Sequence, residues 1–228
     1  MSQIMLRDRI IQMHARLAQA CSRAGRGSQE ITVVAVAKGR SVEQIRETVA
    51  AGLEDIGENR VQEALLKFRQ IRAAADGAKI RWHMVGHLQT NKVRDAVKIF
   101  DLIHSVDSLD LMQEIDRQAN RLGKIQDILI EVKTSPEASK SGVKPGEADG
   151  LIRNASDLKN IRIRGLMTIA PVVHDPEQAR LYFRQLRELR DQLGLIGILS
   201  MGMSDDFEVA VEEGATMVRI GRAIFEDL

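Results

Sequence analysis

The sequence predicts one α/β domain, a parallel (β/α)8 barrel of the TIM type with an extra helix at its N-terminal end. Three observations carry that prediction. Eight short apolar runs alternate with longer segments of helical period, no two successive runs are joined by antiparallel hairpin chemistry, and 228 residues suit one barrel of this kind. The length also permits two small domains, but no linker, internal repeat or low-complexity tract divides the chain. One domain spanning residues 1–228 is the expectation.

The strands are expected at Ile31–Ala37, Asp55–Gly57, Trp82–Val85, Leu102–His104, Ile128–Val132, Ile163–Met167, Ile198–Met201 and Met217–Ile220, each an apolar run of strand length. Leu6–Ala24 has helical period and precedes the first of them. After the first strand, Ser41 and Gln44 form a capping-box pattern, Val42, Ile45 and Val49 recur on one face, and Gly52 stands at the stop. Asp175 and Pro176 open a later helix carrying Leu181, Tyr182, Leu186, Leu189 and Leu193, which Gly194 closes. Ser204 is expected as the N-cap of the next, with Asp205 and Asp206 in its first turn and Gly214 at its end. Gly221–Leu228 is too short for a full final helix, so the N-terminal helix is expected to fill the gap between strands eight and one. Thr134–Gly146, rich in Ser, Gly and Pro, reads as a functional loop after strand five.

Composition narrows the function classes. With 33 basic and 32 acidic residues no whole-chain field favours nucleic acid or an anionic membrane. One Trp, one Tyr and five Phe provide no base-stacking platform. The single cysteine, Cys21, has no partner within the chain and reads as an inert thiol. Arg7, Asp8 and Arg9 stand where a secretory signal would need an apolar core, so a cytoplasmic protein is expected.

In a parallel barrel the active site lies at the C-terminal ends of the strands. Lys38, directly after the first strand, is either a solvated lysine at a strand exit or a partly desolvated amine able to attack an aldehyde and form a Schiff base. Beyond strands seven and eight come "SMGMSDD" and "VRIGRAIF", in the loops where barrels commonly hold phosphate. Ser204 offers a hydroxyl, Gly221 a close backbone approach and Arg222 a cation, although Ser204 could simply cap a helix and Gly221 simply turn the chain. Glu58, Asn59, His87, Asn91, Glu131 and Lys133 cluster at the same face. His83 reads as a structural histidine, and no metal-ligand spacing emerges.

These residues resemble a known family, the pyridoxal 5'-phosphate homeostasis proteins, single-domain relatives of the alanine racemase N-terminal barrel. The likeness rests on "VAK" at 36–38, "GENRVQE" at 57–63, "WHMVGHLQTNK" at 82–92, "SVD" at 105–107, "KSG" at 140–142, "GLM" at 165–167, "SMGMSDD" at 200–206 and "VRIGRAIF" at 218–225. It implies the type III fold of enzymes dependent on this cofactor, with Lys38 carrying pyridoxal 5'-phosphate as a Schiff base. Arg219 would face the pyridine nitrogen, Ser204, Gly221 and Arg222 would hold the phosphate, and Asn59, Met167 and Met201 would line the pocket. A guanidinium there can only donate, which weakens the ring as an electron sink. The chain departs from the family pattern at Ala37, Ile56, Arg222 and Glu226, where Ser, Phe, Thr and Gly are usual.

The function implied is intracellular vitamin B6 homeostasis, buffering the cofactor and delivering it to apo-enzymes, by a monomer with little or no turnover. The alternative is an amino-acid racemase of the alanine racemase type. Its second base is a tyrosine from an added domain, and the only tyrosine here, Tyr182, falls on an outer helix. A Schiff-base aldolase is the third reading.

Overall fold

Strand β1 (Thr32–Val36) is followed on the outside by helix α2 (Val42–Ala50), and that strand-then-helix grammar repeats around the molecule. The order continues β2 (Asp55–Glu58), α3 (Val61–Ala73), β3 (Arg81–Met84), α4 (Val93–Ile99), β4 (Leu102–Val106), α5 (Leu109–Arg121), β5 (Gln126–Glu131), α6 (Ala148–Asn154), β6 (Ile161–Met167), α7 (Arg180–Gln192), β7 (Ile198–Ser200), α8 (Phe207–Glu212), β8 (Met217–Ile220) and α9 (Arg222–Phe225), with α1 (Gln3–Arg23) before β1. This computed structural model describes residues 3–73, 79–137, 141–195 and 197–226. The eight strands are parallel and close in sequence order into a barrel. Its seam joins β1 to β8, pairing Thr32 with Met217 and Val34 with Arg219.

All eight expected strands are present, with ends moved by at most two residues. The seam between β8 and β1 is closed by direct strand pairing, and α1 takes the place of the missing outer helix. Leu6, Ile10, Met13, Leu17, Ala20 and Cys21 recur at three- and four-residue spacing and form its buried face, which lies against α8, α9 and α2. Ser41 caps α2 in the expected box with Gln44.

Two local expectations are corrected. Leu181 is exposed, because α7 turns Phe183, Leu186 and Leu189 inward instead. Ser204 is not the cap of α8: that helix begins at Phe207, behind Asp206, whose carboxylate accepts the Met203 N–H at 2.6 Å. Lys140 of the "KSG" motif lies outside the described residues. Ser141–Val143 turns back onto the end of β5, where Val143 bonds through its backbone to Glu131 and Lys133.

The main core lies between strands and outer helices. A second, smaller one fills the barrel, built from Val34, Val85, Leu102, Leu129, Met167 and Met217, with Val36, Ile169 and Ile198 packed against it. Val36, Val85 and Ile169 are also its upper surface.

Candidate cofactor site at the barrel mouth

Lys38 is presented by a turn. The Arg40 N–H returns to the Ala37 carbonyl at 3.0 Å, and Gly39 takes φ 69°, the left-handed geometry that the third position of a type II turn demands. The same carbonyl accepts a hydrogen bond from Lys67 Nζ at 2.8 Å, and Lys67 also bonds Glu58 Oε1 at 2.6 Å. Glu58 is fully buried, and burial raises its carboxyl above the ordinary range, opposed by the hydrogen bond and charge of Lys67. An ion pair sequestered beneath the turn therefore anchors it. The Lys38 side chain is exposed, not desolvated as its position after an apolar strand suggested, and it bonds to no other described residue.

A cavity of about 330 Å³ opens beside it, at the small end of the range for ligand pockets. Val36, Val85 and Ile169 give it an apolar floor, and Lys38, Asn59, Ser204, Arg219, Gly221 and Arg222 stand around it together with Met203. Six of the eight residues expected at the site thus meet in one cavity. Met167 and Met201 do not: both are fully buried in the core below. Met203, two residues on, supplies the wall.

Each polar group is held by named partners. Arg219 is 4% exposed; Nη1 donates to the Ser200 carbonyl at 2.8 Å and to Ser200 Oγ at 2.7 Å, while Nη2 donates to the Thr168 carbonyl at 2.9 Å. Burial lowers its pKa to about 10, against the pull of Asp206 and Glu131, so it remains a cation near neutral pH. Ser204 Oγ accepts the Ala223 N–H at 3.2 Å, which ties the loop after β7 to the start of α9. Arg222 pairs with Asp205 across the same two loops. A Cβ at Gly221 would rest 3.5 Å from the Val36 carbonyl, an ordinary contact, so packing within the chain does not itself demand glycine there. It does at Gly86: a Cβ would stand 2.4 Å from the Asn59 carbonyl, so Gly86 is what lets Asn59 sit where it does. Asn59 lines this cavity, and its Oδ1 is buried without a hydrogen-bond partner.

Other candidates fall elsewhere. His87 and Asn91 are exposed and outside the cavity wall. Glu131 is buried, and burial together with the Asp107 charge pushes its carboxyl up to about 7, with Arg219 pulling it back. Cys21 is buried on α1, where burial raises the thiol pKa. Among the described residues no His, Cys, Asp and Glu cluster could hold a metal ion, and no helix is long and apolar enough to cross a membrane. Sequence reading missed Lys67, Ser200, His104 and Thr168 as supports. The one visible signal was His104, a histidine inside an apolar run.

Residues 10–228 of this closed parallel barrel match the model of the alanine racemase N-terminal domain family. Within that class the chain belongs to the pyridoxal phosphate homeostasis protein family. It is 44% identical over 223 residues to the pyridoxal phosphate homeostasis protein of Aquifex aeolicus, covering 96% of each chain. A solved structure of an unknown protein from Bifidobacterium adolescentis superposes with a TM-score of 0.88 at 36% identity, over 98% of this chain and 95% of that one. PipY of Synechococcus elongatus, solved with PLP bound, superposes with a TM-score of 0.79 at 38% identity, over 93% of this chain and 99% of that one.

Proposed function

We propose that the chain, residues 1–228 acting as one binding domain, carries pyridoxal 5'-phosphate as a Schiff base on Lys38 and serves in homeostasis of that cofactor. It holds the aldehyde and releases it to apo-enzymes as a cytoplasmic monomer, with little or no turnover. The observation that carries this reading is the convergence of an uncommitted amine, a buried guanidinium and the Ser204–Gly221–Arg222 loops around one cavity with an apolar floor. The residues fit the cofactor. The unpartnered Asn59 Oδ1 and the apolar side chains of Val36, Val85 and Ile169 suit a ring bearing polar substituents, and the names of the relatives and the PLP in PipY point the same way.

When bound, the cofactor supplies an aldehyde for amines and a ring able to draw electrons from them. Lys38 supplies the attaching amine, projected from a turn that Lys67 and Glu58 hold in place. Arg219 donates toward the ring and retains its own protons, so it does not assist electron withdrawal as a proton-sharing carboxylate would. Ser204, the Gly221 backbone and Arg222 receive the phosphate. Racemisation needs a proton carrier on each face of the substrate carbon. Among the described residues the cavity wall offers one amine and no carboxylate, imidazole or phenol, and Tyr182 lies on α7 outside that wall, which favours the carrier over the racemase.

The test is the visible spectrum of purified protein titrated with pyridoxal 5'-phosphate. An absorbance band that borohydride fixes, that Lys38→Ala abolishes, and that persists without product when amino acids are added supports the reading. Failure of the band to form refutes it, and rapid racemisation selects the alternative.

A further inference from the structure

A file of polar side chains crosses the barrel interior from floor to mouth. At the floor Arg81 forks onto Asp55, with Nε 2.7 Å from Oδ1. Asp55 Oδ1 lies 2.9 Å from His83 Nε2, and His83 Nδ1 lies 2.9 Å from His104 Nε2. His104 Nδ1 lies 3.0 Å from Ser200 Oγ, which in turn receives Arg219 Nη1. None of Asp55, His83, His104, Ser200 and Arg219 is more than 6% exposed. The first steps run between the neighbouring strands β2, β3 and β4. The step from His104 to Ser200 joins β4 to β7, which are not neighbours, and therefore spans the barrel itself.

The chemistry of the two ends fixes the direction of the bonds they make, and the protons on the two histidines fix the rest. A guanidinium only donates and an ionised carboxylate only accepts. His83 must therefore carry a proton on Nε2 for Asp55, and Ser200 Oγ must accept from Arg219. His104 is fully buried, and burial, with the charge of Arg219 beside it, disfavours its cation, so it carries one proton. With Ser200 giving its hydroxyl hydrogen to Nδ1 of His104, that proton sits on Nε2 and is donated to His83 Nδ1. The opposite polarity would require two protons on His83. That would place a second cation next to an Asp55 already neutralised by Arg81.

We propose that Asp55, His83, His104 and Ser200 are positioning residues for Arg219, a one-way hydrogen-bond chain in which a carboxylate at the barrel floor fixes the orientation of the donor at the mouth. Both Nη1 hydrogens are consumed by Ser200 and one Nη2 hydrogen by Thr168, which leaves the remaining donors of Arg219 for the cavity it lines. The role in cofactor binding rests on the function proposed above; the polarity of the chain does not.

The polarity is read by nitrogen NMR of the ligand-free full chain labelled on histidine. His83 and His104 are expected each to be neutral with the proton on Nε2 at pH 7, and His83→Gln, whose amide can accept and donate in the same sense, is expected to preserve the His104 tautomer. Two protons on His83, or an Nδ1 proton on His104, overturns the proposal. The positioning role is read by pyridoxal 5'-phosphate titration. His83→Leu is expected to weaken binding at least about fivefold and to give the bound chromophore a new absorbance step between about pH 5 and 9, as the misaligned donor lets the ring nitrogen take up a proton, while His83→Gln stays within about twofold of the parent. Equal weakening by Gln and Leu with no spectral step overturns it. If His83→Leu does not fold, Ser200→Ala, which deletes the oxygen that receives Arg219, carries the same expectation. Failure of the parent chain to bind the cofactor would refute the proposed function and leave the NMR outcome standing.

Discussion

Lys67→Met removes the cation that lies between Glu58 and the carbonyl of Ala37. Lys67 is only 12% exposed along its side chain and Glu58 is fully buried, so the remaining carboxylate would have neither water nor a counter-ion. Removing one partner of a buried pair costs about 3–5 kcal/mol, and the lost bond to Ala37 adds roughly 0.5–1.5 kcal/mol. Against a total stability of about 5–15 kcal/mol for a domain, that is a displacement a urea titration reads easily. Two controls isolate the cause. Met at 67 combined with Leu at 58 removes both charges, and this pair is expected to recover most of the loss. The pH dependence supplies the other.

Glu58 is already raised above its ordinary pKa by burial, and without Lys67 it rises further. A carboxyl raised in the folded state favours folding below its unfolded pKa, and that contribution is lost as pH rises through the folded pKa. The deficit of Lys67→Met is therefore expected to be large at pH 8 and to shrink toward pH 5. The variant should also slow attachment of an aldehyde at Lys38, because the turn on which that residue stands loses its tether. Stability within about 1 kcal/mol of the parent at pH 8, or a deficit independent of pH, would refute the reasoning.

Asp55 tests the opposite sign. Burial would raise its carboxyl, but hydrogen bonds from Arg81 and His83 outweigh that and hold it at about 2 against an ordinary 3.8, worth about 2 kcal/mol that is present above pH 3.8 and lost as pH falls through 2. Asp55→Asn should therefore lose stability at neutral pH and converge with the parent in acid, as followed by circular dichroism. Cys21, on the buried face of α1, should react with a thiol reagent only at the rate at which that helix lifts away, and fast modification of the native protein would show that α1 does not cover the barrel as described. Asp205→Ala frees Arg222 and removes a negative charge beside the proposed phosphate position; affinity for pyridoxal 5'-phosphate at low salt should rise a few-fold, and unchanged or weaker binding would place Arg222 outside the site.

The strands were legible because a strand buried on both faces needs an unbroken apolar run, and each expected run lies in the barrel wall. Where a strand runs longer than expected, polar residues begin or extend it. Gln126 begins β5 with its amide spent on the carbonyls of Asp101 and Asp127, bonds no local pattern announces. Lys38, Asn59, Ser204, Gly221 and Arg222 could be brought to one face because barrel sites lie beyond strand ends, whereas Arg219, inside β8, came only from the family resemblance. Met167 and Met201 were misplaced because position near a strand end does not say which core a side chain enters: Met167 packs inside the barrel below the mouth, and Met201, one residue past β7, packs in the main core. The Lys67–Glu58 pair and the His104–Ser200 contact were illegible for a different reason. Each depends on how elements pack, the former on the face of α3 turned back toward the end of β2, the latter on a contact across the barrel between residues 96 positions apart.

The seam between β1 and β8 has a consequence for how the molecule is made. Lys38 follows the first strand to leave the ribosome and Arg219 lies on the last, yet Val34 and Arg219 are hydrogen-bonding neighbours in the sheet. A nascent chain halted before β8 has the amine without the guanidinium, without the "VRIGR" loop and without a closed wall. On the function proposed above, the capacity for a reactive aldehyde arises late and all at once, with the final turn of synthesis, so unfinished chains offer only a solvated lysine like any other.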